Sequence, residues 1–400
     1  MNINENENIL YSDRETEEKK KNKGNRMFVS LVVCFCLIIG GVSILNFIVP
    51  DGEFSESENR VLASMPRLTL SAIVDGSFMK SYETYLSDQF VFRDKIISVK
   101  TFFDRLSGLK EENGVYISKQ GYLIEKQTAY STKKVKAITK SMNEFFKKNP
   151  YSAKAVLLSP NSSCIYSDKL PSFVEVHDQQ RQLKAIKNKL KGENLTFINI
   201  RKTLLESKDE TQLFYRTDHH WTTRGAYEAF KVLAKKWELD TEKVKYQFLT
   251  VSTDFEGTLA SKTGIHSVKD RIEVCVPQNS KGTYVVTYES EERQTATLFD
   301  DSKLRNKNQY ELFLGGNYDK VIIDTVSESR ASLLIVKDSY ANCMIPMLTP
   351  YFAKIVVVDP RYMTDTIDTV MEENNFSHIL FLYNLNTFLE DSSIVNALGQ

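Results

Sequence analysis

The sequence is poor in cysteine and has no excess of charge of either sign. Its 400 residues include five cysteines, and 52 Lys and Arg balance 52 Asp and Glu. A nucleic-acid partner normally requires a basic surface, so the balanced charge argues against one. Cys34 and Cys36 lie in an apolar run near the N-terminus. The other three, Cys164, Cys275 and Cys343, allow at most one disulfide, and three buried thiols are the simpler expectation.

Long apolar runs are also absent from the sequence, with one exception. Residues 27–49 contain no charged side chain, and a run of 23 residues can span a bilayer with some tilt. Five basic residues precede the run within 19–26, and four acidic residues follow it within 51–58. The positive-inside rule therefore predicts a cytoplasmic N-terminus and an external remainder. A cleaved signal peptide would have a shorter apolar region, so we predict an uncleaved signal anchor that crosses the cell membrane once.

Composition divides the rest of the chain into three parts. Residues 1–26 are polar and charged, which predicts a disordered cytoplasmic tail. Residues 50–110 begin as a polar, extended segment and continue in an amphipathic helical pattern, so they are predicted to form an extracytoplasmic helical lead-in. Residues 111–400 should form the main domain, with an irregular insertion at about 245–330.

Short apolar runs alternate with helical patterns in the main domain, after a predicted β-hairpin at 115–124 and a helix at 133–148. The five runs are 155–158, 195–200, 333–336, 355–358 and 379–382. Continuous apolar runs are typical of strands buried on both faces of a parallel sheet. Because helices separate them, we predict a doubly wound α/β core, in which functional sites form at the carboxyl ends of strands.

All five predicted strands lead into polar residues. These follow the strands at Ser159-Pro160-Asn161, Asn199 to Arg201, Lys337-Asp338-Ser339-Tyr340, Asp359-Pro360-Arg361-Tyr362 and Tyr383-Asn384-Leu385-Asn386. Ser339 comes directly after an apolar strand and before small residues, as a nucleophile on a strand-to-helix turn does. The alternative is that Ser339 only caps a helix.

The segment from Arg216 to Thr222 contains two of the five histidines and one of the two tryptophans. Neutral imidazole is the commonest general base near neutral pH, and Asp218 stands two residues before His220. A long amphipathic pattern follows, so the segment should lie at a helix N-terminus, where the helix dipole disfavours imidazolium. The alternatives are a buried hydrogen-bonded cluster, or two metal ligands without a third.

Together these pieces resemble the SGNH hydrolase superfamily. The resemblance is to its extracytoplasmic branch, which includes the alginate O-acetyltransferases and the bacterial DHHW family. The letters of that family name stand here as Asp218-His219-His220-Trp221. The other matching pieces are Glu58-Asn59-Arg60-Val61-Leu62, Tyr85-Leu86-Ser87-Asp88-Gln89-Phe90 with Phe92-Arg93, Val115-Tyr116-Ile117, Lys337-Asp338-Ser339-Tyr340 and Asp359-Pro360-Arg361-Tyr362. Their order, from about residue 54 to the C-terminus, makes the resemblance specific.

The resemblance implies a flavodoxin-like sheet whose strands are circularly permuted along the chain. By position it assigns Ser339 to the nucleophile block and Asn384 to the oxyanion-hole block. The block between them normally offers a glycine N–H, which the turn at Arg361 lacks. Arg361, or Asn317 with the preceding glycine, could supply the second oxyanion donor. His219 and Trp221 are further candidates for contact with substrate.

The chemistry that the resemblance implies is acyl transfer without a metal or a diffusible cofactor. His220 would remove the proton of Ser339, Asp218 would orient His220, and an acetyl-enzyme would form. The acceptor would be a hydroxyl of a cell-surface or secreted polysaccharide, and a polytopic membrane acyltransferase would supply acetyl groups from the cytoplasm. An acetyl esterase, which uses water as the acceptor, and a non-catalytic scaffold for glycan binding or assembly remain as alternatives.

Overall fold

The computed structural model describes residues 3–52, 54–55, 60–278 and 284–399. It forms two compact units, Met1–Ser55 with Arg60–Ile96, and Glu56–Asn59 with Ile97–Gln400. From the N-terminus the elements are α1 (Ile3–Ile48), β1 (Phe54–Ser55), β2 (Arg60–Val61), α2 (Leu70–Val74), α3 (Ser77–Asp88) and α4 (Arg93–Leu106).

Helix α1 contains the predicted membrane span. Its segment Arg26–Ile48 has a mean hydropathy of 2.8, long and apolar enough to cross a membrane by length and composition. This fits a single-pass anchor. The predicted boundary between a disordered tail and the span is not seen, because α1 continues back to Ile3. Glu, Lys and Arg, which are common in residues 3–26, are good helix formers, and extending a helix avoids the cost of starting one.

The helical lead-in is broken where the sequence pattern suggests continuity. Helix α3 ends at Asp88 and α4 begins at Arg93, and Phe92 between them has a φ of +64°. A residue with this backbone conformation cannot continue a right-handed helix, so α3 and α4 are separate helices. The Gln89 side chain, next to the break, also bonds both backbone groups of Gly52, at 2.8 and 3.0 Å. In the segment Glu58-Asn59-Arg60-Val61-Leu62, the first two residues lie outside the described residues.

The second unit contains the main domain. Its strands are β3 (Glu111–Glu112), β4 (Val115–Ile117), β5 (Leu123–Glu125), β6 (Ala153–Ser159), β7 (Leu195–Ile198), β8 (Tyr246–Phe255), β9 (Asp270–Pro277), β10 (Tyr284–Tyr288), β11 (Arg293–Thr295), β12 (Lys320–Thr325), β13 (Ser332–Lys337), β14 (Lys354–Val358) and β15 (His378–Asn384). Its helices are α5 (Thr132–Lys148), α6 (Ser162–Ile165), α7 (Gln179–Lys187), α8 (Arg201–Ser207), α9 (Thr223–Lys236), α10 (Thr258–Thr263), α11 (Ile345–Leu348), α12 (Ile367–Glu373), α13 (Leu385–Glu390) and α14 (Ser393–Ala397).

All five predicted core strands are present and form a parallel sheet in the order β14-β13-β15-β6-β7. If β13 is counted as the first strand, this is the flavodoxin-like order 2-1-3-4-5. The chain instead enters the sheet at the fourth and fifth positions, β6 and β7. The predicted circular permutation of a doubly wound α/β sheet is therefore confirmed.

The predicted insertion at about 245–330 is only partly separate from this sheet. Strands β8 and β9 form a two-stranded antiparallel ribbon, whereas β12, β10 and β11 extend the main sheet beyond β14 with antiparallel pairing. In β12, Val321 and Ile323 are buried while Lys320 and Ile322 are partly exposed. Alternation of this kind gives a weaker sequence signal than the continuous apolar runs of the central strands.

Both faces of the central strands are buried. On β6 and β13, Leu157 and Ile335 belong to one apolar cluster, and Val156 and Leu334 belong to another on the opposite face. Helices α5 and α7 cover the second cluster, and α9 covers the first. The carboxyl ends of the parallel strands meet at one edge, where the candidate site residues lie.

Candidate active site

Ser339 lies immediately beyond β13, at the start of a short 3-10 turn, Ser339–Ala341. The cap of this turn is Asp338, whose side chain accepts a hydrogen bond from the Tyr340 N–H at 3.0 Å. The interpretation of Ser339 as a simple cap is therefore wrong. Its hydroxyl is instead 2.7 Å from Nε2 of His220.

His220 connects Ser339 to Asp218. The loop that holds His220 precedes α9, whose cap Thr222 accepts from the Gly225 N–H at 3.1 Å. Nδ1 of His220 is 2.6 Å from a carboxylate oxygen of Asp218, so the ring proton lies on Nδ1 and Nε2 faces Ser339 as an acceptor. The three side chains thus meet although 119 residues separate His220 from Ser339.

Asp218 is held by groups that the sequence does not reveal as part of the site. One of its oxygens accepts from the N–H and hydroxyl of Thr258, at 2.8 and 3.1 Å. The other accepts from the backbone N–H of His220 at 2.9 Å. Gly257 lies so close that a Cβ atom there would be 2.2 Å from Cβ of Asp218. The backbone of this loop can approach the carboxylate only because residue 257 has no side chain.

Burial and local charge place His220 in the state that a general base needs. Burial, reinforced by the charge of His219, lowers the pKa of His220 to about 4, although Asp218 opposes the shift. Burial alone would raise the pKa of Asp218, but His219, His220 and the hydrogen bonds hold it well below its usual range. At neutral pH the imidazole is therefore uncharged beside an ionised carboxylate.

The lowered pKa of His220 predicts a pH dependence of stability. Because the unfolded state binds a proton at this residue more readily, stability present above the ordinary pKa of 6.5 is lost as the pH falls toward the folded value. Relative to His220→Gln, the wild-type free energy of unfolding should fall by about 2 kcal/mol between about pH 7 and pH 4.5. Denaturant titration of both proteins measures this. If the free energies of unfolding of the two proteins changed with pH in parallel, the lowered pKa of His220 would be contradicted.

Two aromatic residues, Tyr310 and Trp221, support the site around His220 and Ser339. Tyr310 stacks on the His220 ring with centroids 3.8 Å apart and planes 12° apart, and its hydroxyl donates to the Ser339 carbonyl at 3.1 Å. Trp221 is fully buried, and its only donor bonds the Tyr340 carbonyl at 2.8 Å. Trp221 therefore cannot contact a substrate as predicted, because it has neither exposed surface nor a free donor. It supports the turn that carries Ser339.

His219 does not take the place of His220. Its Nδ1 is 2.8 Å from the Thr258 hydroxyl, and its side chain is 28% exposed. Asp218, His219 and His220 offer ligand atoms within 4.8 Å of one another, as a metal site would. However, the carboxylate oxygens and both nitrogens of His220 already have hydrogen-bond partners. Only Nε2 of His219 remains, so the geometry favours the hydrogen-bonded arrangement over a metal site.

Asn384 lies beside Ser339 at the edge of the sheet. Leu382 pairs with Lys337 across β15 and β13, and Asn384 and Ser339 each lie two residues further on. The Asn384 backbone N–H donates to Asp338 at 2.9 Å. Its side-chain Nδ2 is buried and has no partner among the described residues. A buried donor without an acceptor, in a residue level with Ser339 in the sheet register, is a candidate to bind a substrate oxygen.

Arg361 and Asn317 lie around a buried ion pair. The Arg361 guanidinium makes two hydrogen bonds to Asp359, at 2.8 and 2.6 Å. Lys337 donates to Asp359 at 3.1 Å and to the side-chain amide oxygen of Asn317 at 2.8 Å. The charge of Arg361 contributes to lowering the pKa of His220. Two glycines before Asn317, at 315 and 316, have φ of +74° and +134°.

Two cavities, of about 590 and 830 Å³, lie away from Ser339, one beside α9 and the ribbon of β8 and β9, the other beside α5. All five cysteines are unpaired; Cys275 and Cys343 are buried, and Cys164 is half-buried.

Residues 116–306 match the protein family described as an SGNH hydrolase-like domain of the acetyltransferase AlgX. A solved DHHW family protein from Eubacterium siraeum DSM 15702 is 22% identical, with a TM-score of 0.61, over 72% of this chain and 96% of that one. PatB1 of Bacillus cereus, solved with a sulfonyl adduct, is 16% identical, with a TM-score of 0.59, over 70% of this chain and 97% of that one. No curated protein sequence matches.

These comparisons confirm the predicted resemblance and the SGNH-like fold. The matched segment includes Asp218 and His220 but ends before Ser339, Arg361 and Asn384. The match to the acetyltransferase domain supports an activity of the O-acetyltransferase kind. The roles of individual residues rest on the geometry above.

Proposed function

We propose that this chain is a membrane-anchored extracytoplasmic O-acetyltransferase that acts on a polysaccharide through Ser339, His220 and Asp218. The observation that carries the proposal is the continuous chain of hydrogen bonds from Asp218 through a neutral His220 to the Ser339 hydroxyl, at 2.6 and 2.7 Å. The match to an acetyltransferase domain supports the same reaction class.

The proposed reaction has two halves, each with a proton transfer at Nε2 of His220. Ser339 Oγ attacks the carbonyl carbon of an acetyl donor as His220 takes the hydroxyl proton. The tetrahedral intermediate collapses, the leaving group takes that proton, and an acetyl ester remains on Ser339. A sugar hydroxyl then loses its proton to His220 and attacks this ester. The second tetrahedral intermediate collapses to give the acetylated sugar, and His220 returns the proton to the Ser339 oxygen.

Asp218 and Asn384 would stabilise the charges that develop during these steps. The ionised carboxylate of Asp218 stabilises the imidazolium that forms in each half-reaction. The unpaired Nδ2 of Asn384 donates to the oxyanion of the tetrahedral intermediate, and Arg361 or Asn317 supplies the second donor. A polytopic membrane acyltransferase would deliver acetyl groups from the cytoplasm to this site.

The decisive assay is turnover of a chromogenic acetyl ester by the detergent-solubilised protein, with and without an oligosaccharide acceptor. Faster release of the chromophore, together with an acetylated oligosaccharide in the mass spectrum, is the expected result for a transferase. Turnover that the acceptor does not change, with free acetate as the sole product, would identify an esterase. If the wild-type protein were inactive on every ester tested, a non-catalytic scaffold for glycan binding or assembly would be favoured.

The proposed topology predicts an accessible C-terminus. The site must face the outside if the acceptor is a surface or secreted glycan, and the basic residues before α1's apolar segment favour that orientation. Protease added to intact cells or protoplasts should therefore remove an epitope tag placed after residue 400. A tag placed before residue 1 is the control and should survive until the cells are lysed. Protection of the C-terminal tag would exclude this topology and with it the glycan acceptor.

A further inference from the structure

Three buried side-chain amides form a chain that ends at the candidate oxyanion donor. They belong to Gln179 at the start of α7, Asn161 just beyond β6, and Asn384 at the end of β15. We propose that Asn161 and Gln179 are positioning residues, which together hold the Asn384 amide with its Nδ2 free for the reacting carbonyl oxygen. This inference rests on the proposed function of the same site.

One end of the chain fixes the orientation of Asn384. The backbone N–H of Asn386 donates to the Asn384 side-chain oxygen at 2.9 Å. Since a backbone N–H can only donate, the atom that faces it must be the oxygen and not the nitrogen. The remaining group, Nδ2, must then point the other way.

The opposite end fixes the same orientation independently. The backbone N–H of Asn161 donates to the Gln179 side-chain oxygen at 2.9 Å, so Gln179 must present its amide nitrogen elsewhere. That nitrogen donates to the Asn161 side-chain oxygen at 2.6 Å. Asn161 therefore turns its own Nδ2 toward the Asn384 oxygen, at 3.1 Å. Two backbone N–H groups thus determine all three amide orientations, and they agree.

The consequence is a donor that the fold leaves unpaired. Asn161, Gln179 and Asn384 are each at most 2% exposed, so water cannot readily compensate. The Asn384 oxygen has two donors, whereas its Nδ2 has no acceptor. An unpaired buried donor is costly, and an oxyanion beside Ser339 would supply the missing acceptor. In an isolated amide the two ends could exchange by rotation, but the chain to Gln179 prevents this.

Asn161→Asp is the sharpest test, because it reverses one bond without changing the size of the side chain. One carboxylate oxygen still accepts from Gln179, but the other now faces the Asn384 oxygen, acceptor against acceptor. Asn384 should therefore rotate and donate Nδ2 to the new carboxylate. With a chromogenic acetyl ester and the full-length protein, kcat should fall about 10²-fold, approaching the loss in Asn384→Ala, with little change in KM.

Two comparisons separate positioning from a general packing effect. In an Asn384→Ala background, Asn161→Asp should cause no further loss of kcat, because its effect passes through the missing amide. Gln182→Glu is the matched control on the same helix: Gln182 is 7% exposed and donates to the Thr128 carbonyl at 3.3 Å, outside the chain. Its kcat should stay near wild type. The inference would be overturned if Gln182→Glu lost as much kcat as Asn161→Asp. It would also be overturned if the losses of Asn161→Asp and Asn384→Ala were fully additive in the double variant.

Neutron crystal structures of the full-length wild type and Asn161→Asp, which locate the amide hydrogens, provide a readout that needs no activity. The bond from the Asn386 N–H to the Asn384 oxygen should persist in the wild type and be broken in the variant. If the wild type turns over no acetyl ester, the proposed function fails, and these structures alone decide the positioning role. An Asn384 amide unmoved by Asn161→Asp would overturn it, whatever the activity of the protein.

Discussion

Replacement of Ser339 by alanine is expected to lower acetyl-ester turnover by about 10⁴-fold or more, because members of a catalytic triad act as a unit. Without the hydroxyl, His220 has no nucleophile to activate and no acetyl-enzyme can form. The residual rate should reflect only the oxyanion donors and binding. The measurement is kcat for a chromogenic acetyl ester, and a serine-directed sulfonyl fluoride should label the wild type at Ser339 but leave the variant unlabelled.

The fold should tolerate this change. Asp338 caps the turn, and among the described residues the Ser339 hydroxyl bonds only His220, so its loss should cost about 1 kcal/mol or less. Ser332→Ala is the matched control, since Ser332 begins the same strand at the opposite edge of the sheet and bonds the Asn375 carbonyl. That variant should keep full activity. Wild-type turnover by Ser339→Ala, or a label on another residue, would refute the assignment of the nucleophile.

The sequence was sufficient to predict the residues that converge, because they follow recognisable local patterns. Ser339 and Asn384 come directly after continuous apolar strands, and His220 comes before an amphipathic helix. Strands buried on both faces and a helix start are local features, so a doubly wound parallel sheet and polar residues at the carboxyl ends of its strands could be anticipated. The order of the strands was implied only by the resemblance to the SGNH hydrolases. The meeting of His220 with Ser339 across 119 residues then follows from the topology of the sheet.

The residues that support this site were missed for a physical reason. Gly257, Thr258 and Tyr310 lie in the segment predicted as irregular, which has a few β-like pieces but no regular alternation of strands and helices. Their contacts with Asp218 and His220 depend on how that segment folds back over the sheet, which is information about tertiary packing. Only the polar loop around Gly257 could have drawn attention, since a glycine often marks a close backbone approach.

Trp221 is the opposite case, a residue that the sequence placed at the substrate and the structure does not. Its position next to His220 in a motif made it a candidate for contact with substrate, yet it is completely buried against Tyr340. Proximity in sequence does not determine which way a side chain points in a loop that has no regular period. Asn161 was missed for a related reason. It follows an apolar strand as Ser339 does, but that position does not reveal its contact with Asn384.

Asp218→Asn is expected to lower kcat by about 10⁴-fold while leaving the overall fold intact, because it places His220 in the wrong tautomer. Asp218 accepts hydrogen bonds on both oxygens, from His220 on one and Thr258 on the other. An asparagine has only one acceptor. If its oxygen faces the Thr258 N–H, its amide nitrogen faces Nδ1 of His220, which must then be unprotonated. The ring proton moves to Nε2 and blocks removal of the Ser339 proton.

Either amide orientation sets the new NH₂ group against one backbone N–H, that of His220 or that of Thr258. In a serine-protease triad the same replacement keeps the geometry and gives the wrong tautomer, and we expect that outcome here. Nitrogen NMR of the imidazole should therefore show the proton on Nδ1 in the wild type and on Nε2 in Asp218→Asn. Asp270→Asn is the matched control, since Asp270 is also buried and holds the same loop through the Arg216 and Thr217 N–H groups without touching His220. It should lose stability but less than about tenfold in kcat, because the tautomer is unchanged. Equal losses in the two variants would mean that Asp218 holds the loop in place and does not orient the base.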